Sequence, residues 1–566
     1  MNTKCIDVHI STKILEIVLT ITTLTNILIS QFYSILLKQQ CIRILNFLRY
    51  LKIMILLKKR TVFSAAVDCL TSDAFSMRLF HKTPSCKKCL TPDTVNPNLR
   101  SIDYAIRGLL FQKTVEIENE MLQGIQKPFK YVMRLNIGDA QSLGQPPITF
   151  LRQVLVLTSY PVLINDKTFP NDVKLRAKSI LDKCPGGSVG SYSDACGIEM
   201  IRRQIASYIE ERDKVPSHWR NCILGHGAGD MAKKFLNILR YDNNGLKPGI
   251  LTPVPEYPFY SATMTELGLK RIDYYLEEDN NWHVNVHELQ RAVDEARKTC
   301  NPRAIIVINP GNPTSHVLSR ESIEEIIKFA YRENLIIIAD EVYQDNILKT
   351  DCQFVSFKRV MSDLGEPYNT LELVSLMSVS KGCFAESGIK GGFAEVVNMD
   401  PEVVPMFVKS ISAMLCPSVL AQAAVYALVN PPKPGEPSYE QFQHERKSIV
   451  GAFKMSAAIA EESFNSLDGI FCNPIEGAIF SYPQLRLPQK AISEAHKRGI
   501  SPDEYYALEL LNETGICVVP GSGFKQLPGK YHIRMTLLPQ PDQLHKLMER
   551  YKQFHYKFLR KFSDYN

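Results

Sequence analysis

Beyond residue 60 the chain has no excess of either charge. Of its 66 Lys and Arg and 59 Asp and Glu, nine bases and two acids (Asp7, Glu16) fall in residues 1–60, which leaves 57 of each beyond them. The net charge of +7 therefore belongs to the leader, and a neutral body lacks the electrostatic footprint of a nucleic-acid binder. A regular cysteine framework is missing too. The 14 cysteines are scattered, and Cys86-Lys87-Lys88-Cys89 is a single CxxC without the second pair that zinc spacing requires. No metal site is expected, and scattered free thiols suit a reducing compartment.

Charge is absent altogether from residues 17–37, a run of 21 positions. Acids are absent from residues 38–67, which hold Lys38, Arg43, Arg49, Lys52, Lys58, Lys59 and Arg60. The uncharged run is long enough to span a bilayer, but Thr, Ser, Asn and Gln dilute it. A basic, acid-poor, helix-permissive stretch is the composition of a mitochondrial import leader. The leading expectation is thus a chain of the mitochondrial matrix, with a cytoplasmic chain as the alternative. A membrane anchor over 17–37, and an unused upstream start with Met54 or Met77 opening a shorter chain, are the other readings of the leader. Residues 1–95 are set apart from the fold.

The remainder exceeds one ordinary domain and can bury a large core. Its densest signal lies between Arg303 and Tyr343. Ala304-Ile305-Ile306-Val307-Ile308 and Leu335-Ile336-Ile337-Ile338-Ala339 are short β-branched runs of the kind found in buried parallel strands. Between them, Asn309-Pro310-Gly311-Asn312-Pro313-Thr314 breaks the chain. Ser319 then caps a helix whose Ile323, Ile326, Ile327 and Ala330 share one face. Asn312 and Asp340 follow strand ends, where open α/β sheets bind ligands. A further strand at Cys222-Ile223-Leu224 runs into Gly225-His226-Gly227-Ala228-Gly229-Asp230 and a helix, a turn that can present amides to an anion.

Lys381 stands in Ser378-Val379-Ser380-Lys381-Gly382, with Lys390-Gly391-Gly392 nine residues on. A lysine can form a Schiff base with an aldehyde. An acid such as Asp340 can hold a pyridine nitrogen protonated, and hydroxyls and cations can surround a phosphate. Together these residues read as a pocket for pyridoxal 5'-phosphate, a cofactor that acts as an electron sink. Past Asn430-Pro431-Pro432-Lys433-Pro434-Gly435 come a long helix (438–466) and short strands around 477–480 and 531–535. Arg534 in the last of these is an edge-strand surface residue unless a ligand carboxylate needs its fork.

The runs Asn136-Ile137-Gly138-Asp139-Ala140-Gln141, Pro147–Gln153, Asn309–Thr314, Ala339–Asp345, Val519–Phe524 and Arg534 occur in an order and spacing that resembles the fold-type-I pyridoxal-phosphate aminotransferases. Within that family they are most similar to the alanine branch. The resemblance covers residue 96 to the C-terminus. It implies an α/β fold, with a large domain (171–430) of mostly parallel sheet flanked by helices. A smaller α+β domain would combine an N-terminal arm (96–170) with residues 431–566. It implies Lys381 as Schiff-base lysine and proton-moving base, and Asp340 on the pyridinium nitrogen. Tyr343 and Asn312 would hold the phenolic oxygen, and Tyr257 would stack on the ring. The amides of Ala228 and Gly229, with Ser378, Ser380 and Lys390, would hold the phosphate. Tyr192 would reach the partner subunit's cofactor in a homodimer. Arg534 would clamp the substrate carboxylate, with Gly138 allowing closure. The implied reaction converts L-alanine and 2-oxoglutarate to pyruvate and L-glutamate by a ping-pong route. A weakened or silent paralogue, and a lyase on the same fold, are the alternatives.

The chain departs from that pattern in a cluster. Lys390 stands for an arginine, Gly229 for a serine, Ser315 for a glycine, Cys383 for a tyrosine and Glu476 for a glutamine, and Asp194 adds an acid two residues from Tyr192. A hydrogen bond to a charged group contributes about 1.5–3 kcal/mol. Two lost phosphate contacts therefore imply a cofactor dissociation constant raised roughly tenfold to a thousandfold or more.

Overall fold

Seven runs of aliphatic and β-branched residues form one sheet, and most are buried on both faces by flanking helices. They are β1 (Cys222–Gly225), β2 (Pro248–Val254), β3 (Lys270–Tyr275), β4 (Asn301–Ile308), β5 (Ile336–Asp340), β6 (Leu373–Ser378) and β7 (Gly392–Val397), in the spatial order β1-β7-β6-β5-β4-β2-β3. All neighbours are parallel except β7, which runs against both β1 and β6. The computed structural model describes residues 88–104 and 108–563, of which Val95 onward form one compact unit. Residues 17–37 and Cys86, which carry the leader and CxxC readings, lie outside the described residues. Among the described residues no helix is long and apolar enough to cross a membrane.

Alternation along each strand builds two cores. Ile305, Val307 and Ile337 face the helices Val286–Ala296 and Arg320–Glu333, whereas Ile306, Ile338 and Leu376 face Ala228–Ile238 and Pro258–Leu267. The helix Arg320–Glu333 forms as its sequence demands. Ser319 Oγ accepts from the Ser322 amide at 3.2 Å, and Asn334 closes the other end in the left-handed region at φ 56°. Its four predicted inward residues, Ile323, Ile326, Ile327 and Ala330, are completely buried. Each isoleucine removed from water contributes roughly 1.5–3 kcal/mol before entropy is counted.

Segments that precede and follow this sheet in the sequence pair with one another. Met133–Arg134 pairs in parallel with Ile516–Cys517, and Ile533–Thr536 lies between Phe480–Ser481 and Val519–Pro520. The long helices Tyr439–Asn465 and Pro541–Phe562 pack together behind these strands. The proline-rich turn after Asn430 is tied down by Arg176, which forks onto Glu436 at 2.9 and 2.7 Å and donates to the Asn430 and Pro431 carbonyls.

Two buried histidines make the fold acid-sensitive. His316 shares a 2.7 Å hydrogen bond with Thr314, and burial pushes it down to about 4. His555 hydrogen-bonds Tyr506 and the Asp468 carbonyl and is also lowered by burial. His316 is therefore neutral in the fold near pH 6 and His555 resists protonation, whereas unfolded histidines take a proton below about 6.5. Stability is complete above that value and is lost as pH falls toward 4. For His316 alone the loss between pH 7 and 5 is about 2 kcal/mol. Denaturant midpoints of wild type and His316→Gln across this range measure it. A variant with the same pH slope as wild type would contradict it.

Candidate active site

The carboxyl edge of the sheet gathers the chemistry. Asp340 ends β5 in register with Ile308 of β4 and Leu376 of β6. Two residues farther along β6, Ser378 pairs with Gly392, which pairs with Gly225 at the end of β1. Asp340 is buried, and its Oδ2 accepts from the Tyr260 hydroxyl at 2.8 Å. Its Oδ1 has no hydrogen-bond partner. Burial pushes this carboxyl up, against Tyr260, the Val342 amide and Lys381. A buried carboxylate oxygen left unpaired is costly; a ring N–H arriving there would satisfy it and favour the charged form.

Lys381 follows β6 on a tight turn. Its Nζ donates to the Gly138 carbonyl at 3.0 Å and lies 5.8 Å from the centre of the Tyr343 ring. Part of the side chain still reaches solvent, yet desolvation and Arg534 push its ammonium down to about 8, against the pull of Asp139 and Asp340. A lysine so placed releases its proton near neutral pH. Gly138 faces it closely: a Cβ there would stand 3.0 Å from Nζ and 3.3 Å from Ile479 Cδ1.

Arg534 is not an edge-strand surface residue. It lies on the middle strand of its three-stranded sheet and is only 2% exposed. Its Nη2 donates to the Asn136 carbonyl at 2.8 Å and its Nη1 to Asn312 Oδ1 at 3.1 Å, while Nε has no partner. The guanidinium sits 4.4 Å from the Phe480 ring centre and 4.9 Å from that of Phe524. Burial pushes it down to about 10, against neighbouring tyrosines. Among the described residues no carboxylate pairs with it. A buried cation in this state can take a ligand's carboxylate.

At the far end, the helix Ala228–Ile238 opens after Gly227 at φ 89°. A Cβ on Gly392 would lie 2.7 Å from Gly227 Cα and 2.8 Å from the Ala228 nitrogen, so the two backbones touch there. The Ser380 amide donates to Ser378 Oγ at 3.3 Å. Lys390 is exposed and sits in the left-handed region at φ 61°. A side chain on Gly229 would meet the Phe259 ring at 3.3 Å, and Phe259 stacks against Tyr257 with ring centres 5.8 Å apart. Tyr257 also packs edge-on against Tyr260, the residue that holds Asp340, with ring centres 6.2 Å apart, which places its ring beside the same pocket.

Lys381, Asp340, Tyr343, Asn312, Arg534, Gly138 and Tyr257 are thus gathered into one cluster, while Ala228, Gly229, Ser378, Ser380 and Lys390 lie along the strand edge beside it. Tyr192 is 70% exposed and stands apart from them within one chain. Sequence reasoning missed Tyr260, which holds Asp340, and Asn136, which holds Arg534 by its carbonyl. A carbonyl leaves no sequence signal, and Tyr260 is told from Tyr257 only by its place inside the helix Pro258–Leu267, which Tyr257 precedes.

The substituted positions have local explanations. Ser315 adopts φ 60°, a left-handed conformation that suits glycine, and its hydroxyl donates to the Phe480 carbonyl at 2.8 Å. Glu476 accepts from Asn281 at 2.6 Å and from the Val317 amide at 2.8 Å on separate oxygens; one glutamine oxygen would have to serve both. Cys383 is buried, and its thiol is pushed up to about 12, far from a nucleophile's range. Asp194 accepts from the Cys196 amide at 2.8 Å.

The unpaired Asp340 oxygen, the desolvated amine of Lys381 and the unpaired Arg534 fit the nitrogen, aldehyde and substrate ends of pyridoxal phosphate chemistry. They define a pyridoxal-phosphate-dependent transaminase of fold type I. Residues 153–550 match the family described as aminotransferase class I and II. The chain is 47% identical over 488 residues to alanine aminotransferase 2 of Xenopus tropicalis, covering 86% of this chain and 93% of that protein. It is 48% identical over 478 residues to alanine aminotransferase 1 of Homo sapiens, covering 84% and 96%. The solved alanine aminotransferase of Pyrococcus furiosus shares the fold with a TM-score of 0.64 at 20% identity, over 82% of this chain and all of that one. The chain belongs to the class I and II aminotransferases.

Proposed function

We propose that the chain moves the amino group of L-alanine to 2-oxoglutarate, giving pyruvate and L-glutamate in two half-reactions. The observation that carries a transaminase reading is the buried Arg534, unpaired at Nε, on the same pocket as the desolvated amine of Lys381. The alanine aminotransferases at 47–48% identity support alanine as the donor.

Bound pyridoxal phosphate supplies an electron sink for the pair left at the substrate Cα. Asp340, Tyr343, Asn312, Tyr257, Ala228, Gly229, Ser378, Ser380 and Lys390 are the residues that would hold it. Arg534 seats the substrate carboxylate and, with the lysine side fixed, leaves one substituent of Cα facing the amine. Lys381 removes the proton at Cα of the amino donor and, in the second half-reaction, delivers one to Cα of the amino acid formed from the keto acid, a base whose ammonium burial has pushed down to about 8. A donor meeting Oδ1 favours the charged form of Asp340, whose carboxyl burial pushes up, so its ionisation is coupled to occupancy of the site. Phe480 and Phe524 exclude water on either side of the guanidinium, which strengthens its grip on a carboxylate.

A homodimer is part of the reading, because Tyr192 is exposed beside other apolar residues. The Ser193 amide donates to Cys416 Sγ at 3.4 Å, and just before Cys416 Met414 and Leu415 are 72% and 52% exposed. The acid-free run 38–67, with seven bases, supports a mitochondrial address. Steady-state assays test the reaction. Varying alanine at several 2-oxoglutarate concentrations is expected to give parallel double-reciprocal lines. Repeated turnover without any keto acid, beyond one equivalent of product per site, would reveal a lyase, and no turnover a silent paralogue.

A further inference from the structure

Segment 136–145 wraps around the lysine turn and touches both halves of the site. Its Asn136 carbonyl accepts from Arg534 at 2.8 Å, and its Gly138 carbonyl accepts from Lys381 at 3.0 Å. Gln145 donates to the Cys383 carbonyl at 3.0 Å and Gln141 to the Ala385 carbonyl at 3.3 Å. Four hydrogen bonds thus run from one segment to the two groups that handle substrate and to the turn between Lys381 and Glu386.

The outer end of this arrangement is fixed by one side chain. Arg152, on the helix Thr149–Ser159, forks onto Glu386 at 2.7 and 2.9 Å and donates to Gln141 Oε1 at 2.8 Å. Glu386 is 3% exposed, and Arg152 supplies its ion pair. Its own amide donates to the Val379 carbonyl at 2.8 Å, closing the turn. Ala385 within that turn sits at φ 49°, a conformation that persists only where the surroundings enforce it. The Lys381 and Gln141 bonds to its amide and carbonyl, at 3.2 and 3.3 Å, are that enforcement.

We infer that Arg152, through Glu386 and Gln141, is a positioning residue that braces the lysine turn against the segment reading Arg534. This rests on the transaminase reading above. A substrate carboxylate that captures Arg534 frees the Asn136 carbonyl, so the inner end of the segment is released while its Arg152 end stays anchored. Where Gly138, and with it the Lys381 amine, then comes to rest is set by the anchor. Loss of the anchor misplaces the amine relative to Cα without removing any group that binds substrate or phosphate.

The test compares wild type, Arg152→Gln, Glu386→Gln, the double variant and Gln141→Ala, the last of which leaves the buried ion pair intact and protects the result against misfolding. In the holoenzyme, single-turnover rates at saturating alanine are expected to fall about 10- to 100-fold, as small misplacements do. The alanine concentration for half-saturation should move less than about threefold, because carboxylate binding is untouched. The double variant should be no slower than the slower single, since both remove one contact. In the cofactor-free protein, the pH midpoint for labelling Lys381 with an amine-selective reagent, read by mass spectrometry, is expected to rise by about one unit as the amine meets water. A wild type indifferent to alanine would sink the proposed reaction, and the labelling midpoint would still judge the brace. Unchanged midpoints and rates in well-folded Arg152→Gln and Gln141→Ala overturn it.

Discussion

Lys381→Ala is expected to lower kcat by at least about 10⁴-fold while the folded protein remains as stable as wild type, because it removes the base on the pocket whose ammonium burial has pushed down to about 8. The surrounding structure has little to lose. The side chain is half-buried, and its amine hydrogen-bonds the Gly138 carbonyl, which water can replace. Asp340 does not compensate: its Oδ2 is held by Tyr260, and its Oδ1 is the atom that would meet the ring nitrogen. A small primary amine added to the solution should restore part of the rate, since it can reach the space the side chain vacated. Stopped-flow measurement with alanine reads the loss. Turnover within tenfold of wild type would assign the proton transfer to another group.

Arg534→Gln is expected to reduce kcat/KM for alanine and for 2-oxoglutarate alike, by about 10²- to 10⁴-fold. Two charge-assisted hydrogen bonds at about 1.5–3 kcal/mol each give that range. The two substrates share only an α-carboxylate beside the reacting carbon, so a common loss identifies the group that Arg534 holds. Arg534→Lys keeps the charge but not the fork and should fall between the two. The lysine ammonium would also have to satisfy both the Asn136 carbonyl and Asn312 Oδ1, which the guanidinium reaches at 2.8 and 3.1 Å. A change below threefold in either substrate's kcat/KM would place the carboxylate elsewhere.

Where the chemistry sits on one strand or turn, the sequence already shows it. Asp340 ends a run of isoleucines, Ser319 caps a helix with its inward face in phase, and Lys381 follows a strand by three residues. Each depends on neighbours in the chain, and observed limits differ from predicted ones by a few residues, as at Asn301–Ile308 against 304–308. Arg534 was legible as a residue but not in its burial, because a strand of four residues does not declare whether it lies at an edge or in the middle. Tyr260 and the Arg152–Glu386 pair were out of reach. Their partners lie 80 and 234 positions away, a separation that only the sheet order bridges. The Gly229 and Lys390 departures drew notice as lost phosphate contacts. The structure adds that Phe259 stands where a side chain on residue 229 would go, so that replacement is coupled to the ring beside Tyr257.

The most direct test is the visible absorption of purified residues 96–566 with pyridoxal phosphate, followed through two additions. The account predicts a band from the lysine-bound cofactor that bleaches on L-alanine and returns on 2-oxoglutarate, which reports both half-reactions in one cuvette. No visible band at saturating cofactor, or a band that every amino acid leaves unchanged, would contradict it.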